Sequence, residues 1–201
     1  MTDDRYTPAQ GSAVASLPLK AVHKLIDNRV IRPLKGGRGK EPTRLLSRGH
    51  LVYLRLEADG LRLLPVAARR EVARAVEAQP DVDALTVTGS RALVIQVRDA
   101  RRAVEQELAR FRRVLRMVVS DPEIMRGTPV FRGTRIPVEL VADMIAQGTS
   151  EEEILEGYVA LSREQVKAAP FYMKAFPRRG RPVRLPWAGQ EPIRVTEYKR
   201  K

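Results

Sequence analysis

Between residues 19 and 44 the chain places Lys20, His23, Lys24 and Asn28 at near-helical intervals and then adds Lys35, Arg38, Lys40 and Arg44. If the first stretch is a helix, Val22, Leu25 and Ile26 form its inward stripe and those first four residues point outward. Lysine, histidine and asparagine suit base edges in a DNA groove, and the later lysines and arginines suit phosphate oxygens. Residues 20–48 hold nine basic against two acidic side chains, a net charge of +7, which is more than solubility requires. The plainer reading of the same charges is a solvated cationic face. His23 by itself is a surface hydrogen-bonding residue with no ligand or acid–base role.

Such side chains need a frame. Tyr6 to Gln10 leads into a short helix around Ala13–Ala15, Ser16-Leu-Pro18 makes a turn, and Leu19–Asn28 follows as a second helix. Two short helices split by a tight turn are the minimum that braces one helix across a phosphate backbone while the other enters the major groove. Gly11 sits inside the first helix and should weaken it by about 1 kcal/mol relative to alanine. The basic, glycine-rich stretch Lys35-Gly-Gly-Arg-Gly-Lys40 is a loop or, with Thr43–Leu46, a two-stranded wing.

Beyond Pro65, Val66–Ala78 reads as a helix. Ala84–Thr88 and Ala92–Val97 read as a β-hairpin around Gly89, and Asp99–Met117 as a helix with Val104, Leu108, Phe111 and Leu115 on one side and many arginines elsewhere. Three further helical patterns, Val138–Gln147, Ser150–Tyr158 and Ser162–Phe176, begin with Pro137 and with the capping boxes Ser150/Glu153 and Ser162/Gln165. The expected fold is mainly α with a small β component. It divides into a winged helix-turn-helix at 1–62, a middle α-hairpin-α segment at 63–117, a helical unit at 118–176 and a basic tail at 177–201. The middle segment is a natural dimerising module, although its apolar stripe is equally satisfied within one subunit.

Composition narrows the classes. The 201 residues carry a formal charge of +13, so a polyanion is the expected partner. There is no cysteine, which excludes disulfide frameworks, thiolate catalysis and cysteine-ligated metals. His23 and His50 are the only histidines, and no nucleophile–base pair or metal-ligand set can be assembled. The expectation is therefore a protein that is not an enzyme, with no cofactor and no metal. The polar, acidic start MTDDRYTPAQ and the lack of a long apolar run point to a cytoplasmic protein without membrane contact. With 43% hydrophobic but only 5% aromatic residues, several small cores of Leu, Val, Ala and Ile are expected, and RNA base-stacking platforms are not.

Tyr6-Thr7, Ala13–Leu17, Leu19–Ile26, Ile31-Arg-Pro33, Arg44-Leu45 and the Ser47–Leu56 helix resemble the winged-helix head of MerR-like regulators. That resemblance implies DNA binding by Lys20, His23, Lys24 and Asn28 at bases and by Lys35, Arg38, Lys40 and Arg44 at phosphates, from a two-fold dimer. Further on, Asp121-Pro-Glu-Ile and Pro129-Val-Phe-Arg-Gly-Thr-Arg-Ile-Pro-Val138, then Gly148–Tyr158 and Leu161–Val166, closely resemble DUF433, a domain of unknown function. The resemblance implies a small three-helix, helix-turn-helix-like domain of a kind widespread in antitoxins. Pro170 departs from the family's uninterrupted last helix and should kink it.

The whole arrangement resembles VapB-type antitoxins, whose partners are PIN-like ribonuclease toxins. By that resemblance the chain neutralises such a toxin and represses from operator DNA, as a homodimer or a toxin–antitoxin hetero-oligomer; the alternative is a MerR-like transcription regulator with no toxin partner. The last 25 residues hold four prolines and eight basic residues against two acids, and should form an extended, locally disordered tail. Arg178, Arg179, Arg181, Arg184 and Trp187 are the expected toxin-binding residues, with the Trp in an apolar groove and an Arg on the nuclease's carboxylates. A solubilising tail or a nonspecific DNA arm is the plainer reading. Arg126, Arg132 and Arg135 serve either the local backbone and acids or nucleic acid, and Glu151–Glu153 supply favourable helix N-terminal charge.

Overall fold

The first helix starts earlier than the apolar pattern suggests, because Thr7 and Gln10 form a capping box. The Thr7 hydroxyl accepts the Gln10 N–H at 3.3 Å and the Gln10 side chain accepts the Thr7 N–H at 2.8 Å. With Pro8 in the first turn, α1 runs over Pro8–Ala15. Gly11 lies inside it, where a Cβ would stand 2.6 Å from Leu46 Cδ1 and 3.2 Å from Leu51 Cδ2. The glycine that costs helix propensity is thus what lets α1 approach its neighbour. Ser16 closes the helix at φ 55°, and the buried Ser12 hydroxyl donates to the Leu17 carbonyl at 2.6 Å, so the turn leaves no polar group stranded there.

A computed structural model describes residues 5–36, 43–79, 81–88 and 92–178. Within them the protein is mainly helical, with eight α-helices and three two-stranded antiparallel sheets. After α2 (Leu19–Asp27), strands β1 (Leu34–Gly36) and β2 (Thr43–Leu45) pair with Lys35 opposite Arg44, and α3 (Arg48–Ala58) follows. A 3-10 turn at Leu61–Leu63 leads to α4 (Val66–Ala78). Strands β3 (Ala84–Thr88) and β4 (Ala92–Gln96) form the expected hairpin, with Leu85 opposite Ile95 on the buried face. Asp83 ties that hairpin to α5 (Arg98–Met117) by accepting from Arg98 and Arg101, and Arg98 holds its carboxyl below the ordinary aspartate range.

The chain then pairs β5 (Val118–Val119) with β6 (Val130–Phe131) and ends in α6 (Val138–Ala146), α7 (Glu151–Gly157) and α8 (Arg163–Ala175). Ser150 and Ser162 cap the last two as their sequences predict. Pro170 does not end α8: it sits on the exposed side, and the helix runs five residues past it. No helix among the described residues is long and apolar enough to cross a membrane.

One continuous interior, not several small ones, holds these elements. It extends from Tyr6 to Ala175 and includes the buried stripe of α5, Ala100, Val104, Leu108, Phe111 and Val114. The aromatic residues among the described ones gather there. The Phe111 ring stands 6.4 Å from Tyr6, 6.3 Å from Phe171 and 6.0 Å from Phe176, centroid to centroid. Such edge and offset contacts are each worth about 0.5–1.5 kcal/mol beyond the area they bury. The expectation of separate cores fails because α1, α5 and α8, which come from different segments of the chain, pack their apolar sides on one another.

Candidate nucleic-acid interface

Helix α2 buries Val22, Leu25 and Ile26 and exposes Lys20, His23, Lys24, Asp27 and Asn28. Its far end is held by a Schellman closure, in which the Arg29 N–H reaches the Ile26 carbonyl at 2.9 Å and the Val30 N–H reaches the Leu25 carbonyl at 2.9 Å. Arg29 occupies the left-handed position of that closure, φ 55°, where glycine is the usual residue. Arg70 of α4 donates to the Asn28 carbonyl at 2.9 Å, placing a cation at the negative end of the helix. These contacts fix α2 from behind and leave its cationic side in solvent.

The β1–β2 ribbon adds to that side. Lys35 and Arg44 are cross-strand partners, so two like charges stand on one face, an arrangement that is unfavourable by itself. Asp27 relieves it, accepting from Arg44 Nη1 at 2.9 Å and linking the ribbon to α2. Lys20, His23, Lys24, Lys35 and Arg44 are therefore exposed on neighbouring elements. Asn28 lies on a different flank: with Lys24 it borders a cleft formed by Leu17, Ala21, Glu57, Arg62 and Arg69. Arg38 and Lys40 lie outside the described residues.

Behind this surface is a buried polar network that no sequence pattern announced. Glu57, 3% exposed, accepts from the Tyr53 hydroxyl and, at 2.7 Å, from Arg69 Nε. Burial, reinforced by the Glu57 carboxylate, pushes the Tyr53 phenol far above its ordinary range, so it remains a donor. Tyr53 and Glu57 share a helix face, but Arg69 comes from the next helix, and only folding brings it there. His50 is also buried. Its Nδ1 accepts the Ser47 N–H at 3.0 Å in a capping box, while Nε2 stands 3.4 Å from Glu77 without hydrogen-bond geometry. Burial holds this imidazole below the ordinary histidine range against the opposing pull of Glu77.

The C-terminal arginines divide between roles. Arg132 Nε donates to the Arg116 carbonyl at 2.8 Å and so caps the end of α5. Arg126 is backbone-distorted, φ 57°, and Arg135 is exposed. Arg178 pairs with Glu139 and Asp143 of α6, which ties the start of the tail to the helical unit. Arg179, Arg181, Arg184 and Trp187, with the expected disordered tail, lie outside the described residues. Glu151 and Glu152 pair with Arg163, and Glu153 completes the Ser150 capping box. No group of three or more side chains able to hold a metal occurs among the described residues.

Comparison with known proteins adds three findings. The solved crystal structure of Rv2018 from Mycobacterium tuberculosis aligns over 82% of this chain and 96% of its own, at 16% identity and with a TM-score of only 0.29. The uncharacterized protein y4eO of Sinorhizobium fredii is 48% identical over 65 residues, which span 32% of this chain and 29% of that protein. Residues 118–173, from β5 to α8, match the family described as protein of unknown function DUF433, and this chain contains a DUF433 domain.

Proposed function

We propose that this chain is a DNA-binding antitoxin that is not an enzyme, uses no cofactor, and neutralises a PIN-like ribonuclease while repressing from operator DNA. One observation carries the DNA half: α2, held by its buried Val22, Leu25 and Ile26, by the Arg70–Asn28 bond and by the Asp27–Arg44 pair, turns Lys20, His23 and Lys24 to solvent beside the opposed Lys35 and Arg44. Helix α1 then plays the bracing helix, α2 the groove-reading helix and the β1–β2 ribbon the wing of a MerR-like head. Lys20, His23 and Lys24 meet base edges, and Lys35 and Arg44 meet phosphates. Arg44 must then exchange Asp27 for a phosphate oxygen. The antitoxin half rests on the DUF433 match and on the resemblance of the arrangement to VapB-type antitoxins.

The test is fluorescence anisotropy of the full chain on duplex DNA from the region upstream of its own gene, across a salt series. Affinity is expected to fall steeply with salt, and Lys35→Ala to lower the slope of log affinity against log salt by about one. A flat salt response refutes the DNA reading. Co-expression with the product of the adjacent gene, followed by co-purification, tests the toxin half. A second reading, a transcription regulator with no toxin partner, is favoured by the pairing of Arg178 with Glu139 and Asp143, which engages the first tail arginine within the chain. Operator binding without any co-purifying nuclease would decide for it.

A further inference from the structure

The cleft behind α2 has a volume of about 350 Å³, within the range of small-molecule sites. Its floor and its rim differ in kind. Leu17, Ala21 and Leu25 supply an apolar floor, and Lys24, Arg62 and Arg69 supply three cations around it. Glu57 matches the charge of Arg69 through the 2.7 Å bond to Nε. Lys24 and Arg62 have no ion pair among the described residues, so two positive charges remain over an apolar surface. Arg69 is also restrained, since its Glu57 partner is buried and holds Tyr53 as well. A guanidinium fixed in this way presents its remaining N–H groups in a planar fork without further loss of side-chain freedom.

We propose that this cleft binds a small organic carboxylate with an apolar body. The body displaces water from Leu17, Ala21 and Leu25, and the carboxylate takes Arg62 and Lys24, with Arg69 available as a third donor. A bare inorganic anion would leave the floor unused, and a neutral apolar molecule would leave the rim unpaired; the cleft suits a ligand that has both parts. The site joins α2 to the 3-10 turn and α4, so its occupant bridges elements that are otherwise linked on that side by the Arg70–Asn28 bond. The site shares Lys24 with the DNA reading but rests on Arg62, Arg69 and the apolar floor as well, and its binding is measured without DNA.

Isothermal titration of the full chain with naphthalene-2-carboxylate, naphthalene-2-carboxamide and inorganic phosphate tests this. The carboxylate is expected to saturate at one per chain and to bind at least tenfold more tightly than either the carboxamide or phosphate. Arg62→Gln is expected to weaken it at least fivefold, and Ala21→Leu, which fills the floor, to abolish it. Arg113→Gln, on α5, should leave it unchanged, with circular dichroism reporting that each variant is folded. Three results would overturn the proposal: no saturable binding, equal affinity for the carboxamide or phosphate, or an Arg62→Gln variant that binds like the parent.

Discussion

Gly11→Ala sets two magnitudes against each other. Alanine is the better helix former by about 1 kcal/mol, and α1 is a genuine helix with both ends capped, so propensity alone predicts a more stable protein. The added methyl would stand 2.6 Å from Leu46 Cδ1, 3.2 Å from Leu51 Cδ2 and 3.4 Å from Leu54 Cδ1. All three leucines are fully buried, so none can swing into solvent to make room. Overpacking of this kind costs about 1–3 kcal/mol. The expected net effect is a loss of about 1 kcal/mol, a fall in Tm of roughly 2–4 °C for a chain of this size. Urea unfolding followed by helical dichroism measures it. Gly157→Ala is the matched control: a Cβ there meets nothing within 4 Å, so propensity acts alone and a gain of about 0.5 kcal/mol is expected. A Gly11→Ala variant as stabilised as Gly157→Ala would refute the close approach of α1 to Leu46 and α3.

His50 gives a pH prediction. Its folded pKa lies below the unfolded value, so the unfolded chain binds a proton that the folded chain refuses. The stability it contributes is complete above about pH 7.5 and is lost as pH falls through 6.5 toward the folded pKa. His50→Gln keeps a capping partner for Ser47 and should flatten this part of the profile; an equal loss between pH 7.5 and 5.5 in both proteins would count against it. Glu57→Leu removes the common acceptor of Tyr53 and Arg69 and is expected to cost about 2–4 kcal/mol in urea unfolding, whereas a neutral result would mean the network adds nothing. Arg29→Gly relieves a left-handed non-glycine residue, and a rise of about 0.5–1 kcal/mol is expected; a decrease would show that the arginine side chain outweighs the strain.

Local chemistry was legible where it acts within a few residues. Ser150/Glu153, Ser162/Gln165 and the branched runs of β3 and β4 announce themselves, because caps and hairpins are built from neighbours in sequence. The start of α1 carries the same capping signal in Thr7 and Gln10, but this helix buries mostly small residues and so has no strong apolar stripe to mark where it begins. The exposed lysines of α2 were equally readable from helical spacing. The contacts that set the surroundings of α2 were not: Asp27 meeting Arg44, Arg70 meeting Asn28 and Arg69 meeting Glu57 all join separate elements. Pro170 and Gly11 are weaknesses in isolated helices, and both gain their meaning from the side of the helix on which they fall.

The rings around Phe111 have a consequence for how the polypeptide holds together when it is cut. Tyr6 comes from the beginning of the chain and Phe171 and Phe176 from its last described helix, and all three rest on the same side chain of α5. A single backbone cleavage between α4 and α5 would therefore not release two independent pieces. The amino-terminal fragment would keep its grip on α5 and α8 through α1 and α3, and the nicked protein would elute as one particle until denaturant separated the halves. Two separately made halves are therefore expected to reassemble on this surface when mixed.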